Sequence, residues 1–279
     1  MSSQKRIKLS AALTQAIGQG KMLGIEEHKI KLLAAGICHL SIPQLAINSD
    51  LILSQAQQEL LQDGLKRLAK HEPVQYILGS ACFYGLDLTV DANVLIPRPE
   101  TEGLAEWIIE SEKDRACVLE IGTGSGAIAL ALKYLRPDFK IIATDVSLPA
   151  LQIARANAKN LNLDVKFVPA DLFPSHPLRF DLIVSNPPYI APSDYAKLEE
   201  EVRFYEPKLA LFAEDKGLEF YRRIIKQAGK YLKPSGKVYL EIGDTQANAI
   251  SELALKHGFK NVEMKCDLAG RNRYLRFTL

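Results

Sequence analysis

The sequence predicts an α/β chain in which a mostly parallel sheet, covered by helices on both faces, follows a small helical domain. Three observations carry this. From residue 116 onward, short apolar runs alternate with helix-length segments, the pattern of strands buried on both faces. Over about the first 75 residues, apolar side chains recur instead at helical spacing. Between the two lies "ACFYGLDLTVDANVLIP", short alternating segments around Gly85 and Asp91 that read as a hairpin. The expected boundaries are residues 1–76 for the helical domain, 77–97 for a hairpin linker and 98–279 for the sheet domain, a division that suits 279 residues.

In the helical domain Ile30, Leu33, Ala34 and Ile37 recur at helical spacing. Ser54 with Gln57 forms a capping box ahead of Leu60, Leu61, Leu65 and Leu68. Lys66, Arg67 and Lys70 read as a solvated face rather than a binding patch. "PRPETE" then opens a helix. Pro99 suits its first position, and Glu100 and Glu102 suit the positive end of the helix dipole, which accounts for the stretch without any function. "ACVLEIG" precedes "GAIALALKYL", "KIIATD" precedes "LPALQIARANAKNL", and "DVKFVPAD" leads to a short break. "FDLIVSNPPYI" leads to a long loop and "KVYLEIG" to "QANAISELALKHG". The ending "NVEMKCDLAGRNRYLRFTL" reads as two strands around a turn at Gly270, one of them antiparallel to the rest. There is no internal repeat and no low-complexity segment.

Composition excludes several classes. The hydrophobic fraction of 47% and charged fraction of 24% are those of an ordinary globular protein, and no apolar run approaches the roughly 20 residues that span a bilayer. The opening "MSSQKRIKLS" lacks the apolar core of a signal peptide, so a cytoplasmic location is expected. Cys38, Cys82, Cys117 and Cys266 form no CxxC pair and stand apart from the five histidines. Structural thiols are expected, with no disulfide framework and no metal. A formal net charge of +2 is weak for a protein that grips a nucleic-acid backbone.

The first chemical constellation is "EIGTGSGA". Gly122, Gly124 and Gly126 lie between a strand and a helix, where absent side chains let a ligand approach the backbone. Thr123 and Ser125 complete the loop. Asp145 ends the next strand, where a carboxylate accepts from both hydroxyls of an adenosine ribose. Asp171, in "PADLF", either accepts from the adenine amino group, with Leu172 packed on the base, or merely caps the following turn. These residues fit NAD as well as S-adenosylmethionine.

"SNPPY" separates the two. Its strand end faces the same crevice as the glycine loop. Asn186 brings a side-chain carbonyl, and Pro187 a backbone carbonyl whose direction is held by Pro188. Two fixed acceptors bind the two hydrogens of a planar NH₂ group, and Tyr189 lies against its face. Hydride transfer has no use for that arrangement, whereas methylation of an amino or amide nitrogen has. A proline-stiffened turn is the alternative without function.

With these residues in view, the chain closely resembles the protein-glutamine N5-methyltransferases that modify class I peptide chain release factors, the PrmC or HemK family. The resemblance spans "EPVQYILG", "VLIPRPETE", "GTGSGAIAL", "ATDVS", "FDLIVSNPPYI", "GLEFYRRII", "LEIGDTQ" and "DLAGRNR" in that order. No single motif decides it, because N-P-P-Y recurs in enzymes that methylate base amino groups. The resemblance implies a seven-stranded class I S-adenosylmethionine-dependent methyltransferase domain, Rossmann-like, with a small N-terminal five-helix recognition domain and a linking β-hairpin. It implies methylation of the glutamine in a Gly-Gly-Gln loop, S-adenosylmethionine held by residues 122–126, Asp145 and Asn186, and glutamine held by Asn186, Pro187, Pro188 and Tyr189. The expected partners are class I release factors, without nucleic acid or membrane, and the expected state is a monomer. Glu120 stands where Asp is commoner and keeps the acid. Leu172 stands where some members have an aromatic ring.

The segment "APSDYAKLEEEVRFYEPKLALFAEDKG" reads as a long acidic loop, either a lid or a solvated connector, with Arg98, Glu100 and Arg203 at the site's entrance. Two other readings stay open at this point. One is a nucleic-acid amino-group methyltransferase. The other is an S-adenosylmethionine-binding adaptor without turnover. An NAD oxidoreductase fits least well.

Overall fold

The computed structural model describes residues 6–175 and 178–279. In chain order the elements are β1 (Ile7–Lys8), α1 (Leu9–Met22), α2 (Glu27–Cys38), α3 (Ile42–Ile47), β2 (Ile52–Leu53), α4 (Gln55–Leu68), α5 (Val74–Leu78), β3 (Ser80–Phe83) and β4 (Leu86–Thr89). They continue with α6 (Pro99–Ser111), β5 (Cys117–Ile121), α7 (Ala127–Leu135), β6 (Lys140–Asp145), α8 (Leu148–Asn160), β7 (Lys166–Pro169) and β8 (Phe180–Ser185). The last are α9 (Glu200–Tyr205), α10 (Glu214–Gly217), α11 (Glu219–Tyr231), β9 (Leu232–Glu241), α12 (Ala247–Lys256), β10 (Lys260–Cys266) and β11 (Asn272–Thr278). Two compact units result, one running through Ser80 and including Glu199–Tyr205, the other made of Ala81–Leu198 and Glu206–Leu279.

The first unit is helical around its own core. Ile30, Leu33 and Ala34 of α2 meet Leu61, Leu65 and Leu68 of α4 there. Ser54 caps α4 by accepting from the Gln57 N–H while Gln57 Oε1 accepts from the Ser54 N–H, the expected capping box. Leu60 departs from expectation and is exposed, because only Leu61, Leu65 and Leu68 fall on one stripe of the helix. Helix α9 joins this unit: the Tyr205 hydroxyl donates to the Lys70 carbonyl at 2.9 Å, and His71 lies 3.0 Å from Glu200.

The second unit begins with a two-stranded sheet of β3 and β4, whose two-residue turn places both Tyr84 and Gly85 at positive φ, as a tight hairpin turn requires. Its main sheet has seven strands in the order β10-β11-β9-β8-β5-β6-β7. β11 is antiparallel to both of its neighbours, and the pairs from β9 to β7 are parallel. Side chains alternate between the faces. Val118, Leu182, Val184 and Tyr239 pack with α6, α7 and α8, whereas Leu119, Ile183, Val238 and Leu240 pack with α11 and α12. Pro169 ends the edge strand β7, a position that a residue without an N–H tolerates.

After β7 the chain returns to the other side of β5 to form β8. This reversal is the switch point where open parallel sheets place their ligands. It sets the ends of β5 and β8 side by side, with Ile121 in register with Ser185 and the Ser185 hydroxyl bonded to the Ile121 carbonyl at 2.7 Å. The segment after Tyr189 is more structured than a loop. Ile190 bridges Phe212 in parallel, its N–H donating to Leu211 and its carbonyl accepting from Ala213, each at 3.0 Å.

Candidate active site

The glycine loop leaves β5 tied to β6, since the Gly122 and Thr123 N–H groups both donate to the Thr144 carbonyl, at 2.9 and 3.0 Å. Gly122, Gly124 and Gly126 all have positive φ. A Cβ on Gly122 or Gly124 would stand in open space, on the cavity side. On Gly126 it would press Leu130 at 3.1 Å and Ala154 at 3.3 Å, so that glycine serves helix packing instead. Thr123 and Ser125 are buried. The Thr123 hydroxyl donates to Glu120, and the Ser125 carbonyl accepts from Asn157 at 2.9 Å.

A cavity of about 230 Å³ lies along the strand ends, lined by Gly122, Gly124, Asp145, Asp171, Leu172, Asn186, Pro187 and Pro188 among others. A smaller one of about 60 Å³ adjoins it, lined by Arg98, Thr101, Glu120, Thr123, Ser125 and again Gly122, Gly124 and Asn186. The structure thus brings together almost every residue the sequence singled out. Gly126 and Tyr189 lie outside both linings. Arg203 lies in the helical unit, and Glu100 offers its backbone carbonyl to the Tyr274 hydroxyl.

Asp145 uses both oxygens locally: Oδ2 accepts from the Gly124 N–H at 2.9 Å and Oδ1 from the Ser147 N–H at 2.8 Å. The Val146 N–H also bonds to the carboxylate, which still keeps acceptor capacity, and burial raises the carboxyl's pKa against these bonds. Asp171 lies at the rim with its Oδ2 2.5 Å from Arg223. Leu172 is buried in left-handed backbone (φ 69°), its carbonyl accepting from Thr144 Oγ1 at 2.7 Å, so its side chain is fixed against the cavity wall.

Asn186 is half-buried, and its Nδ2 donates to Thr101 Oγ1 at 3.2 Å, which leaves Oδ1 as the free acceptor of the amide. Pro187 is buried. Tyr189 packs on the α11–α12 side of the core, where burial and the nearby Glu241 push its hydroxyl up to about 12, so it stays neutral. Gln246 Nε2 donates to the Tyr189 carbonyl at 3.1 Å.

Sequence reasoning named Glu120 but not its burial, and it missed two further buried acids near this crevice, Glu241 and Glu206. Burial pushes Glu120 up to about 8, against hydrogen bonds from Thr123 and the Ala129 N–H. Burial pushes Glu241 up to about 7, opposed by hydrogen bonds from Thr101 and Asn186 and by the charge of Arg273. Arg98 reaches Glu206 at 2.5 Å, and burial raises that carboxyl too. A glutamate inside an otherwise apolar strand, as in "VLEIG" and "YLEIG", was the available signal.

S-adenosylmethionine fits these residues. The bare glycines open the cavity to a backbone-hugging ligand, Asp145 retains acceptor capacity for a ribose diol, and Leu172 and Pro188 supply apolar wall. Fold and site together define a class I S-adenosylmethionine-dependent methyltransferase. A family model described as the methyltransferase small domain matches residues 101–202, and one described as the PrmC N-terminal domain matches residues 10–79. A Streptococcus pneumoniae protein named release factor glutamine methyltransferase is 48% identical over 224 residues, 80% of this chain and 80% of its own. A Lactococcus lactis protein of the same name is 44% identical, over 80% of this chain and 83% of its own. The chain belongs to the release factor glutamine methyltransferase family. Among solved structures, a methyltransferase from Pyrococcus furiosus is similar at TM-score 0.55 and 23% identity, covering 81% of this chain and 98% of that one, a likeness of fold.

Proposed function

We propose that this enzyme methylates the side-chain amide nitrogen (N5) of the glutamine in the Gly-Gly-Gln loop of class I peptide chain release factors, modulating translation termination. In this reading it acts in the cytoplasm as a monomer and takes no nucleic acid directly. The observation that supports it is the placement of Asn186 and Pro187 at the end of β8 beside the glycine loop, with the Asn186 NH₂ engaged by Thr101; in this reading Asn186 Oδ1 and the Pro187 carbonyl are the pair of acceptors. The family of the chain supplies the choice of glutamine over a base amino group, and a formal net charge of +2 agrees with it.

S-adenosylmethionine supplies an electrophilic methyl group on a sulfonium sulfur. The chain's task is to present a poor nucleophile, an amide nitrogen whose lone pair is delocalised into its carbonyl. Asn186 Oδ1 and the Pro187 carbonyl accept its two N–H groups, which raises electron density on nitrogen and aims the lone pair into the crevice. Tyr189 covers the amide plane. Positioning of this kind is worth about 7 to 11 kcal/mol of barrier when the geometry is good. No His, Cys or Lys lies in "SNPPYI", and the proton lost from nitrogen goes to water.

Mass spectrometry tests the reading. Purified release factor and a pool of tRNA and DNA are each incubated with enzyme and methyl-labelled S-adenosylmethionine. One added methyl on the Gly-Gly-Gln glutamine, abolished by Asn186→Ala, is the expected result. Label in the nucleic acid would transfer the site to base amino groups, and label in neither would overturn the assignment.

A further inference from the structure

"PRPETE" and the second "LEIG" contain two residues that the reaction above leaves unused. Thr101, in the first turn of α6, is buried although polar. Glu241, the last residue of β9, is 2% exposed, and its Oε2 has no hydrogen-bond partner among the described residues. Burying a carboxylate with one oxygen unpaired is costly, and the groups that hydrogen-bond to it are the amide of Asn186 and the hydroxyl of Thr101.

The hydrogen-bond direction among the three is constrained. Asn186 Nδ2 donates to Thr101 Oγ1, and a threonine hydroxyl carries a single proton. With its oxygen accepting from Asn186, Thr101 gives that proton to Glu241, and an ionised carboxylate only accepts. The order amide, hydroxyl, carboxylate turns Asn186 Oδ1 away from Thr101. We propose that Glu241, accepting from Thr101 and from the Asn186 amide itself, is the positioning residue that fixes which end of the Asn186 amide faces the substrate. This rests on the reading of Asn186 Oδ1 as acceptor for the glutamine amide. A protonated Glu241 becomes a donor, which frees the Thr101 proton to point at Asn186. The amide is then equally well held with its NH₂ outward, where two donors meet the two donors of the substrate.

Several groups bear on the charge of Glu241. Arg273 of β11 favours it, and Glu100 of α6 opposes it. Tyr189, Tyr221 of α11 and Tyr274 of β11 also face it, and burial raises all three phenols, so they remain neutral near pH 7. Burial sets the carboxyl at about 7, so the network changes direction within a range that is easily measured.

The test uses the full-length enzyme with Thr101→Val, Thr101→Ser, Glu241→Gln and Asn186→Ala. Thr101→Val is expected to lower kcat about 10-fold with the S-adenosylmethionine Kd within about twofold, and Thr101→Ser to recover most of the loss. Wild-type kcat is expected to rise with pH through about 7, a limb that Glu241→Gln flattens. Independently of turnover, the Asn186 side-chain ¹⁵N–¹H signals in the free enzyme, assigned by their loss in Asn186→Ala, should titrate near the same pH in wild type and not in Glu241→Gln. A kcat unchanged in both Thr101→Val and Glu241→Gln, or a titration that survives Glu241→Gln, overturns the proposal. Should Thr101→Val lose S-adenosylmethionine binding, the titration alone decides. An active Asn186→Ala would instead sink the underlying reading of Asn186.

Discussion

Gln246 holds the backbone of Tyr189 from 57 residues away in the sequence, its Nε2 3.1 Å from the tyrosine carbonyl. The same NH₂ reaches the Lys216 and Gly217 carbonyls at 3.4 and 3.3 Å, while Oε1 accepts from the Gly243 N–H at 3.1 Å. One amide thus ties the residue after the two prolines to the end of β9 and to the turn before α11. That turn, α10, is left-handed, with Asp215, Lys216 and Gly217 all at positive φ. At Gly217 the geometry admits only glycine, since a Cβ there would lie 2.1 Å from the Tyr189 carbonyl oxygen.

Gly217→Ala should therefore displace Tyr189. A shift of about 1 Å in a group that orients a reactant costs up to about 10²-fold, and kcat is expected to fall by 10-fold to 10²-fold. The glycine loop lies across the crevice, so the S-adenosylmethionine Kd from calorimetry should stay within about threefold of wild type. An unchanged kcat would show that the backbone of Tyr189 is not part of substrate positioning.

Asn186→Ala removes one of the two acceptors. If its share equals that of a single oxyanion-hole donor, kcat falls on the order of 10² to 10³-fold. Single-turnover measurements with saturating S-adenosylmethionine separate this from binding. Near-normal turnover with intact binding would remove Asn186 from the mechanism.

Asn157 carries a structural prediction. It is buried on α8, with Oδ1 accepting from the Thr89 N–H at 2.8 Å and Nδ2 donating to the Thr89 and Ser125 carbonyls at 3.0 and 2.9 Å. It joins β4 to the glycine loop. Asn157→Leu conserves volume but strands three backbone groups, the Ser125 carbonyl buried and the two of Thr89 part-buried, and urea denaturation should show a loss of about 2 kcal/mol. A loss under about 1 kcal/mol would mean that those groups find other partners.

Much of this was legible in the sequence because the signals were local. Strands buried on both faces read as apolar runs, and the final pair of strands was recognisable as holding one antiparallel to the rest. Gly122, Asp145 and Asn186 stand at strand ends, where open α/β sheets place ligand-binding groups. What escaped is non-local. Nothing near Thr101 signals that it faces Asn186, 85 residues on, and its place in the first helical turn gave it an adequate local explanation. The left-handed turn at Asp215 and Lys216 depends on Gln246, and no local turn residue but Gly217 announces it. Glu120 and Glu241 were in view as the "LEIG" that occurs twice, yet each sat inside a run read for its apolar members.

Glu120 makes the pH dependence of stability a direct test of that burial. Its carboxyl lies at about 8 in the folded protein against an ordinary 4.5. A carboxyl raised by folding keeps its proton in the native state where the unfolded chain has released it. Its contribution to stability is fully present below about pH 4.5 and is lost as pH rises toward about 8. Wild type should accordingly lose stability over that window relative to Glu120→Gln, whose neutral amide has no proton to release. Glu241 adds its own slope to both proteins, so the difference between them isolates Glu120. By pH 8 the difference should amount to at least about 2 kcal/mol. Ligand binding offers a second readout, because Glu120 lines the smaller cavity with Gly122 and Gly124. A cationic ligand held along the glycine loop would favour the carboxylate, so wild-type affinity for S-adenosylmethionine should rise with pH up to about 8, and that of Glu120→Gln should not. Parallel stability curves for the two proteins would mean that the bonds from Thr123 and Ala129 outweigh desolvation and keep Glu120 ionised throughout.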